Sequence, residues 1–204
     1  MKFDKLGWVV AAGLASAIFV SGFQNSNPKF ANVDISKIGQ DSELAKKDND
    51  ALQKFGTARF DVIRFIQQNL AMLPDDAKRY ADLKTRPTID QTAIQKIESD
   101  ATTQAAKQRD LIGKPSPTTE EQAQLKEFND RRAANQQFLQ TLDAQYRREI
   151  DDKSQTLRNE VLDKVRASIK DIASRQGYSV VFNVESAPYA ANDITPEVVK
   201  AVGK

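Results

Sequence analysis

The segment Ser26-Asn27-Pro28-Lys29 has residues whose types and spacing could perform acyl transfer. In serine enzymes with a Ser-x-x-Lys pattern, the Lys lies one helical turn from the Ser and activates it. Pro28 and the position beside the long uncharged segment that ends near residue 23 argue against such a helix here, and the companion motifs of those enzymes are missing. We therefore expect no catalysis by Ser26.

Adjacent acidic residues are the second candidate for chemistry. The pairs are Asp75-Asp76, Glu120-Glu121 and Asp151-Asp152. Neighbouring side chains on a helix point about 100° apart, so such pairs do not converge on one substrate atom. We interpret them as solvated charges and helix-start charges, which the helix dipole favours.

The composition excludes most other catalytic and metal chemistry. The 204 residues include no His and no Cys, which removes the commonest general base, the thiolate nucleophile and the usual zinc ligands. There is also no Gly-rich phosphate loop. The net charge of +2 provides no broad basic field for nucleic acid. We predict a protein that is not an enzyme and that uses no cofactor, no metal and no nucleic acid.

Residues 1–23 have the layout of an export signal. Lys2 and Lys5 precede about eighteen uncharged residues, and a polar stretch follows. The segment is either a cleaved signal peptide or an uncleaved anchor, because it is near the lower length limit for a membrane span. In both cases the remaining chain is exported, and membrane contact is expected only if this segment is retained.

Most of the following chain has the spacing of helices. Alternating residues predict a strand over 30–38, after which Asp41 or Ser42 begins a helix that ends before Pro74. Residues 74–87 are polar and bounded by prolines, so we predict an irregular insertion that loops out. A capping box of Thr88 and Gln91 then begins a second helix, which carries apolar residues at helical spacing. These are Ile94, Ile97, Ala101 and Leu111.

The breakers at 113–117 predict a turn into the longest helix. Thr118 and Glu121 form another capping box, and Gly177 is placed to end the helix. The helices on either side of the turn are of similar total length, which predicts an antiparallel hairpin over 42–176. Its ends bring the first strand beside a second strand that begins near residue 178.

The C-terminal residues complete a small β body. Alternation in residues 178–184 predicts a strand, and Thr195 with Pro196 predicts the start of a short helix. Residues 29–41 and 177–204 therefore form a discontinuous body, in an α+β fold that is mainly α. A body of this size buries too little apolar surface by itself. We therefore expect other copies of the chain to complete it. The residues predicted to form this assembly core are Val33, Ile35, Val180, Phe182 and Val184.

The long helix has a weaker apolar seam in its first half. Between Phe128 and Leu139 the seam positions fall on Arg131 or Arg132 and on Asn135. This irregularity is either ordinary drift on a long helix or a sign of a flexible distal arm. Imperfectly buried aromatic residues there could contact another protein, although seam packing is their commoner role. The candidates are Phe128, Phe138 and Tyr146.

Several of these features together resemble one family, the Skp/OmpH periplasmic chaperones. The specific resemblance is in residues 165–202: a helix, a hydrophobic strand, a loop with Tyr189, the helix start Asp193-Ile194-Thr195 and a final Val-rich helix. The first strand and the hairpin are similar in kind. The resemblance covers about residues 29–203, and the balanced charge and the 74–87 segment depart from it.

The resemblance implies a function as well as a fold. It implies a homotrimer with a shared β-barrel body, whose arms enclose a cavity that holds unfolded outer-membrane proteins without ATP. It also implies a periplasmic location in a Gram-negative-type envelope. The alternative from a different class is a membrane-anchored coiled-coil spacer or scaffold of the cell envelope.

Overall fold

The computed structural model describes residues 28–188 and 192–203. The predicted export segment 1–23 and Tyr189 lie outside these residues. The chain is mainly helical with a small sheet, which confirms the predicted fold class. The elements are β1 (Phe30–Val33), α1 (Ile35–Asp41), α2 (Glu43–Gln68), α3 (Pro74–Thr85), α4 (Gln91–Ile112), α5 (Thr119–Gln176), β2 (Val180–Asn183) and α6 (Thr195–Ala201).

The chain folds as two compact units. Unit 1 contains the described residues up to Ala51 and from Lys153 onward, and unit 2 is Leu52–Asp152. The divisions fall within α2 and α5, so each unit contains part of both helices. The predicted division into a body and an arm, at residues 41/42 and 176/177, stays a prediction.

The first strand is shorter than predicted, because a helix replaces its second half. Residues 30–33 form β1, and Asp34 then caps α1: its Oδ1 accepts a hydrogen bond from the Lys37 amide at 2.8 Å. Asp is a strong N-cap residue, and this local bond competes with the strand. The prediction of a strand through residue 38 is therefore wrong.

The sequence predicted the starts of α2 and α5 correctly and the start of α4 wrongly. Ser42 caps α2, since its Oγ accepts from the Ala45 amide at 3.3 Å. The capping box before α5 is confirmed: the Thr118 amide donates to Glu121 Oε2 at 2.9 Å, and the Glu121 amide donates to Thr118 Oγ1 at 3.3 Å. The Thr88 box is wrong, because Asp90 caps α4 through its Oδ1 and the Ala93 amide at 3.0 Å.

Residues 74–85 form a helix instead of an irregular loop. Pro74 stands in the first turn of α3, where the missing amide hydrogen costs nothing. The buried residues on α3 recur at helical spacing, and they belong to the hydrophobic core of unit 2. They are Ala77, Tyr80, Ala81 and Leu83. The looped-out reading of this segment is wrong; its status as an insertion relative to the family stays a prediction.

The core of unit 2 joins four helices. Each contributes buried residues to one cluster, and the Tyr80 ring of α3 stacks on Phe65 of α2 with centroids 4.2 Å apart. The Tyr80 hydroxyl donates to Glu98 of α4 at 3.0 Å. Burial and this hydrogen bond both raise the pKa of Tyr80. The cluster also contains Val62, Ile66, Met72, Ile94, Ile97, Ala101, Leu142 and Tyr146.

Gly177 ends α5 as predicted. Its φ is 70°, a conformation that glycine adopts without strain. The Tyr178 amide donates to the Ala173 carbonyl at 2.9 Å, and the Gly177 amide donates to the Ser174 carbonyl at 3.4 Å. These two bonds form a Schellman motif, which pairs the last carbonyls of the helix and directs the chain into β2.

Unit 1 is built around a parallel pair of strands. Phe30 pairs with Val180 and Ala31 with Val181, so the two predicted strands are adjacent. Behind them lies a core formed by β1, α1, α5 and α6, with Val33, Ile38, Val161, Val165, Ile169, Ile172, Ile194, Val198 and Val202 buried.

Thr195 is the first residue of α6 and not its N-cap. The N-cap position is Ile194, which makes no side-chain capping bond, and Pro196 follows in the first turn. The Thr195 hydroxyl instead accepts a hydrogen bond from the Asp34 amide at 2.8 Å. The predicted capping role is therefore wrong, because Thr195 connects α6 to the end of β1.

Candidate functional site

The two strands of unit 1 have one face toward the core and one face away from it. Ala31 is buried and Val181 packs against the core, whereas the next residues in the alternation point to the opposite side. Phe30 and Phe182 on that side are 42% and 37% exposed, with ring centroids 6.0 Å apart. We name Phe30, Val180 and Phe182 the outer face of the sheet.

The sheet also has one open edge. On one side β1 pairs with β2, and on the other the Asn32 amide donates to the Asn192 carbonyl at 2.7 Å and the Ile194 amide donates to the Asn32 carbonyl at 3.0 Å. Within the described part of the chain, no strand pairs with the far side of β2. An edge strand next to exposed aromatic rings is a surface on which another strand can pair.

The structure separates the residues predicted to form the assembly core. Val33 is buried, and Ile35 packs partly against the core of its own unit. Val180 and Phe182 lie on the outer face, and half-buried Val184 follows β2, with its amide donating to the Val33 carbonyl at 3.0 Å. Phe182 is thus outside the core of a single chain, and the part that these residues play in assembly stays a prediction.

Phe30 was not predicted as the partner of Phe182. The alternation that places Ala31 and Val33 on one face of the strand puts Phe30 on the other face. An aromatic residue at the start of a strand, on the face without other apolar residues, is the signal that could have identified it.

The aromatic residues predicted to contact clients lie mostly in the interior of unit 2. Phe128 and Tyr146 are each 5% exposed, and Phe138 packs against the core cluster. The Arg131 guanidinium lies 5.3 Å from the Phe128 ring, and burial raises the pKa of Tyr146 to about 12. The premise of imperfect burial is wrong for Phe128 and Tyr146, which favours the seam-packing alternative; a client-binding role stays a prediction.

Three other apolar side chains of unit 2 face solvent. Leu73, Ile89 and Ile112 are 44%, 56% and 63% exposed. Leu73 precedes α3, Ile89 lies between α3 and α4, and Ile112 is the last residue of α4. In the sequence they could have been identified by their position at or between helix ends, outside the periodic apolar pattern.

Charge on the helices is balanced by neighbouring opposite charge. Pairs at helical spacing include Lys96 with Asp100 at 2.8 Å and Arg147 with Asp143 at 2.8 Å. Other such pairs are Lys46–Glu43, Arg64–Asp61, Lys78–Asp75, Arg86–Asp82, Arg131–Glu127, Arg166–Asp163 and Arg175–Asp171. Exposed pairs of this kind add little stability, but they cancel one another's long-range fields.

The ion pair between Arg59 and Glu149 joins two helices of unit 2, and the Arg59 side chain is buried. Arg59 of α2 lies 2.7 Å from Glu149 of α5, and its side chain is 9% exposed. The guanidinium also donates to the Phe55 carbonyl at 3.2 Å and lies 3.3 Å from the centroid of the Phe55 ring. A guanidinium held by several partners restricts how α2 and α5 can slide along each other.

Acidic residues of the pairs noted in the sequence have structural roles at helix starts. Glu121 accepts from Lys114 and from the Thr118 amide, and these bonds lower its pKa. Asp75 and Asp76 lie in the first turn of α3.

Among the described residues, no cluster of acidic side chains could hold a metal ion. No helix in the described part of the chain is long and apolar enough to cross a membrane.

Comparison with known proteins places the chain in a family. Residues 29–202 match the model of the family described as Outer membrane protein (OmpH-like). The Chaperone protein Skp of Pectobacterium atrosepticum is 26% identical over 198 residues, covering 96% of this chain and 98% of the relative. The Chaperone protein Skp of Yersinia enterocolitica is 26% identical over 202 residues, with the same coverage of 96% and 98%.

A third relative, the Chaperone protein Skp of Photorhabdus luminescens, is 28% identical over 126 residues, which is 61% of this chain and 67% of the relative. No solved structure matches the chain significantly. Because the family model covers almost the whole described chain, the resemblance drawn from residues 165–202 is confirmed, and the chain belongs to the OmpH-like family.

Proposed function

We propose that this protein is a periplasmic holdase chaperone. It binds unfolded outer-membrane proteins in a cavity between the helical segments of a homotrimer and prevents their aggregation without ATP. The observation that carries the proposal is the outer face of the sheet beside the edge of β2 that is open in the described residues, since a strand of another copy could pair there and cover this face. The similarity of the chain to proteins named Chaperone protein Skp supports the chaperone role.

The open edge of β2 supports assembly from copies of the same chain. Two short strands are too few for a stable independent sheet, and Phe30 and Phe182 leave apolar surface in water. Pairing with β strands of other copies would satisfy the edge and cover both rings. The number of copies rests on the family resemblance, which implies a trimeric barrel.

Client binding requires apolar surface that a folded chain leaves exposed. In unit 2 this surface includes Leu73, Ile89 and Ile112, and half-buried Phe138 could add to it. Unfolded segments gain free energy by covering such residues. Several copies acting together would multiply a weak contact, because the second contact of a bound client is intramolecular.

The chemistry of the chain supports passive holding and not catalysis. The sequence contains no His and no Cys, and the acidic pairs in helix starts stabilise those helices. A membrane-anchored spacer is the less favoured alternative, because the full-length relatives carry chaperone names. Such a spacer should fractionate with membranes and bind one partner, whereas a holdase should bind many unfolded β-barrel proteins.

The test is an aggregation assay. An outer-membrane β-barrel protein is diluted from urea into buffer with and without the purified chain, and light scattering is followed. We expect scattering to be suppressed without added ATP. A variant with Leu73→Ser, Ile89→Ser and Ile112→Ser should suppress it less while keeping its helical circular dichroism. Thr102→Ser, Thr103→Ser and Gln95→Ser, at exposed polar positions of α4, are the matched control.

Two results separate the parts of the proposal. Undiminished aggregation in the presence of the native chain would show that the chain is not a holdase. Full suppression by the Leu73, Ile89 and Ile112 variant would retain the holdase function but place the client surface elsewhere.

A further inference from the structure

Asp48 is a buried carboxylate in the part of α2 that belongs to unit 1. Only 7% of the residue is exposed, and it follows fully buried Ala45 by three positions on the same face of the helix. Leu44 of α2 packs against the cluster that contains Val161 and Val165 of α5. Asp48 therefore occupies a position of the helix pairing where an apolar side chain would be expected.

The charged groups that act on Asp48 lie on both helices. On α5 they are Glu160, Lys164 and Lys153, and on α2 the neighbouring Lys47. Burial is the largest influence and raises the pKa of Asp48, and the Glu160 carboxylate raises it further. The three lysines oppose this change without reversing it.

The hydrogen bonding of Asp48 is incomplete in its ionised form. Within the part of the chain that the structure describes, Oδ2 of Asp48 has no hydrogen-bond partner although it is buried. A buried carboxylate oxygen without a partner loses its hydration and gains nothing in exchange. A proton on this group would remove the charge from the helix pairing and also its repulsion with Glu160.

We propose that Asp48 is an acid-responsive residue, which strengthens the packing of α2 on α5 in unit 1 when it binds a proton. The direction follows from linkage: a carboxyl that binds a proton more tightly in the folded chain than in the unfolded chain stabilises the folded state as pH falls toward the ordinary Asp range. That stabilisation is lost as pH rises through the pKa of the folded state. The ionised residue thus weakens the helix pairing at pH values above the pKa of its folded state.

Asp48→Asn tests this proposal, because the amide is uncharged at every pH. Urea unfolding of the full chain is measured between about pH 4 and pH 8, which spans the ordinary Asp range and the range above it. We expect the variant to be more stable than the native chain near pH 8 and to lose this advantage toward pH 4. Each pKa unit between the folded and unfolded carboxyl corresponds to about a tenfold change in the folding equilibrium.

Hydrogen exchange locates the effect, because the amides of α2 before Ala51 should gain protection on acidification in the native chain and not in the variant. Asp50→Asn, at an exposed position of the same helix, is the matched control and should show neither effect. The proposal is overturned if Asp48→Asn is no more stable than the native chain near pH 8, or if its advantage is the same at every pH.

A measurement on the native chain avoids dependence on the variant. Carbon NMR of the side-chain carboxyl should show Asp48 titrating above the ordinary Asp range, and Glu160→Gln should lower the Asp48 titration midpoint. A midpoint within or below the ordinary Asp range would overturn the proposal.

Discussion

The side-chain amide of Asn135 on α5 donates hydrogen bonds to two carbonyls at the turn between α2 and α3, those of Met72 at 3.0 Å and Leu70 at 2.9 Å. Asn135 is fully buried, and nearby Arg131 donates to the Ala71 carbonyl at 3.4 Å. The seam positions that looked weak in the sequence therefore bind the turn that follows α2. The polar residues replace apolar packing there because backbone carbonyls need donors.

Asn135→Ala should destabilise unit 2. The change removes the donor from two backbone carbonyls in a buried site, and an unsatisfied buried polar group costs about 1–3 kcal/mol. Urea unfolding followed by circular dichroism measures the loss. Asn129→Ala, at an exposed position of the same helix, should be neutral or slightly stabilising because Ala favours helices. Equal stability of the two variants would mean that the Asn135 contacts contribute nothing.

Tyr80 tests whether α3 is part of the core. Tyr80→Ala should cost about 3–5 kcal/mol, as truncation of a large buried aromatic side chain does. Tyr80→Phe removes only the bond to Glu98 and should cost about 1 kcal/mol. Arg79→Ala, exposed on the same helix, serves as the control.

Proteolysis is a second test of whether α3 is packed in the core. A protease of broad specificity should cut the exposed turn at residues 113–118 before it cuts residues 74–85, because packed helices resist cleavage. Deletion of 74–87 should consequently impair folding of unit 2. Early cleavage within 74–85, or a deletion variant as stable as the native chain, would show that the segment is a loop and not a packed helix.

Phe182→Asp should separate assembly from folding. Because Phe182 is 37% exposed in the single chain, an Asp there meets water in a monomer but would be buried without a partner in an assembled sheet. Size-exclusion chromatography with light scattering should show loss of the oligomer, with helical circular dichroism retained. Phe182→Leu should keep the oligomer, and an unchanged mass for Phe182→Asp would exclude the outer face as the assembly surface.

Client affinity should depend only weakly on salt. The helices carry closely spaced opposite charges, so their long-range attraction for a charged client largely cancels. Fluorescence titration of an unfolded β-barrel protein should give a dissociation constant that changes less than about threefold between low and moderate salt, because screening then has little attraction to remove. A steep loss of binding with added salt would instead show that charge holds the client.

The sequence by itself determined the features that depend on neighbouring residues. The capping box of Thr118 and Glu121, the end of α5 at Gly177 and the periodic core residues Ile94 and Ile97 follow from local hydrogen bonding and helical spacing. The family resemblance in residues 165–202 was also readable there. Such features need no knowledge of what lies across the fold.

The tertiary structure decided the features that depend on a partner distant in the sequence. Pro74 and Pro87 suggested a loop, but the burial of Tyr80 against Phe65 and its bond to Glu98 make 74–85 a helix of the core. The Thr195 hydroxyl binds the Asp34 amide, 161 residues away, in preference to capping its own helix. Local propensities differ by about 1 kcal/mol or less for most residues, so burial of one large side chain or satisfaction of one buried polar group outweighs them.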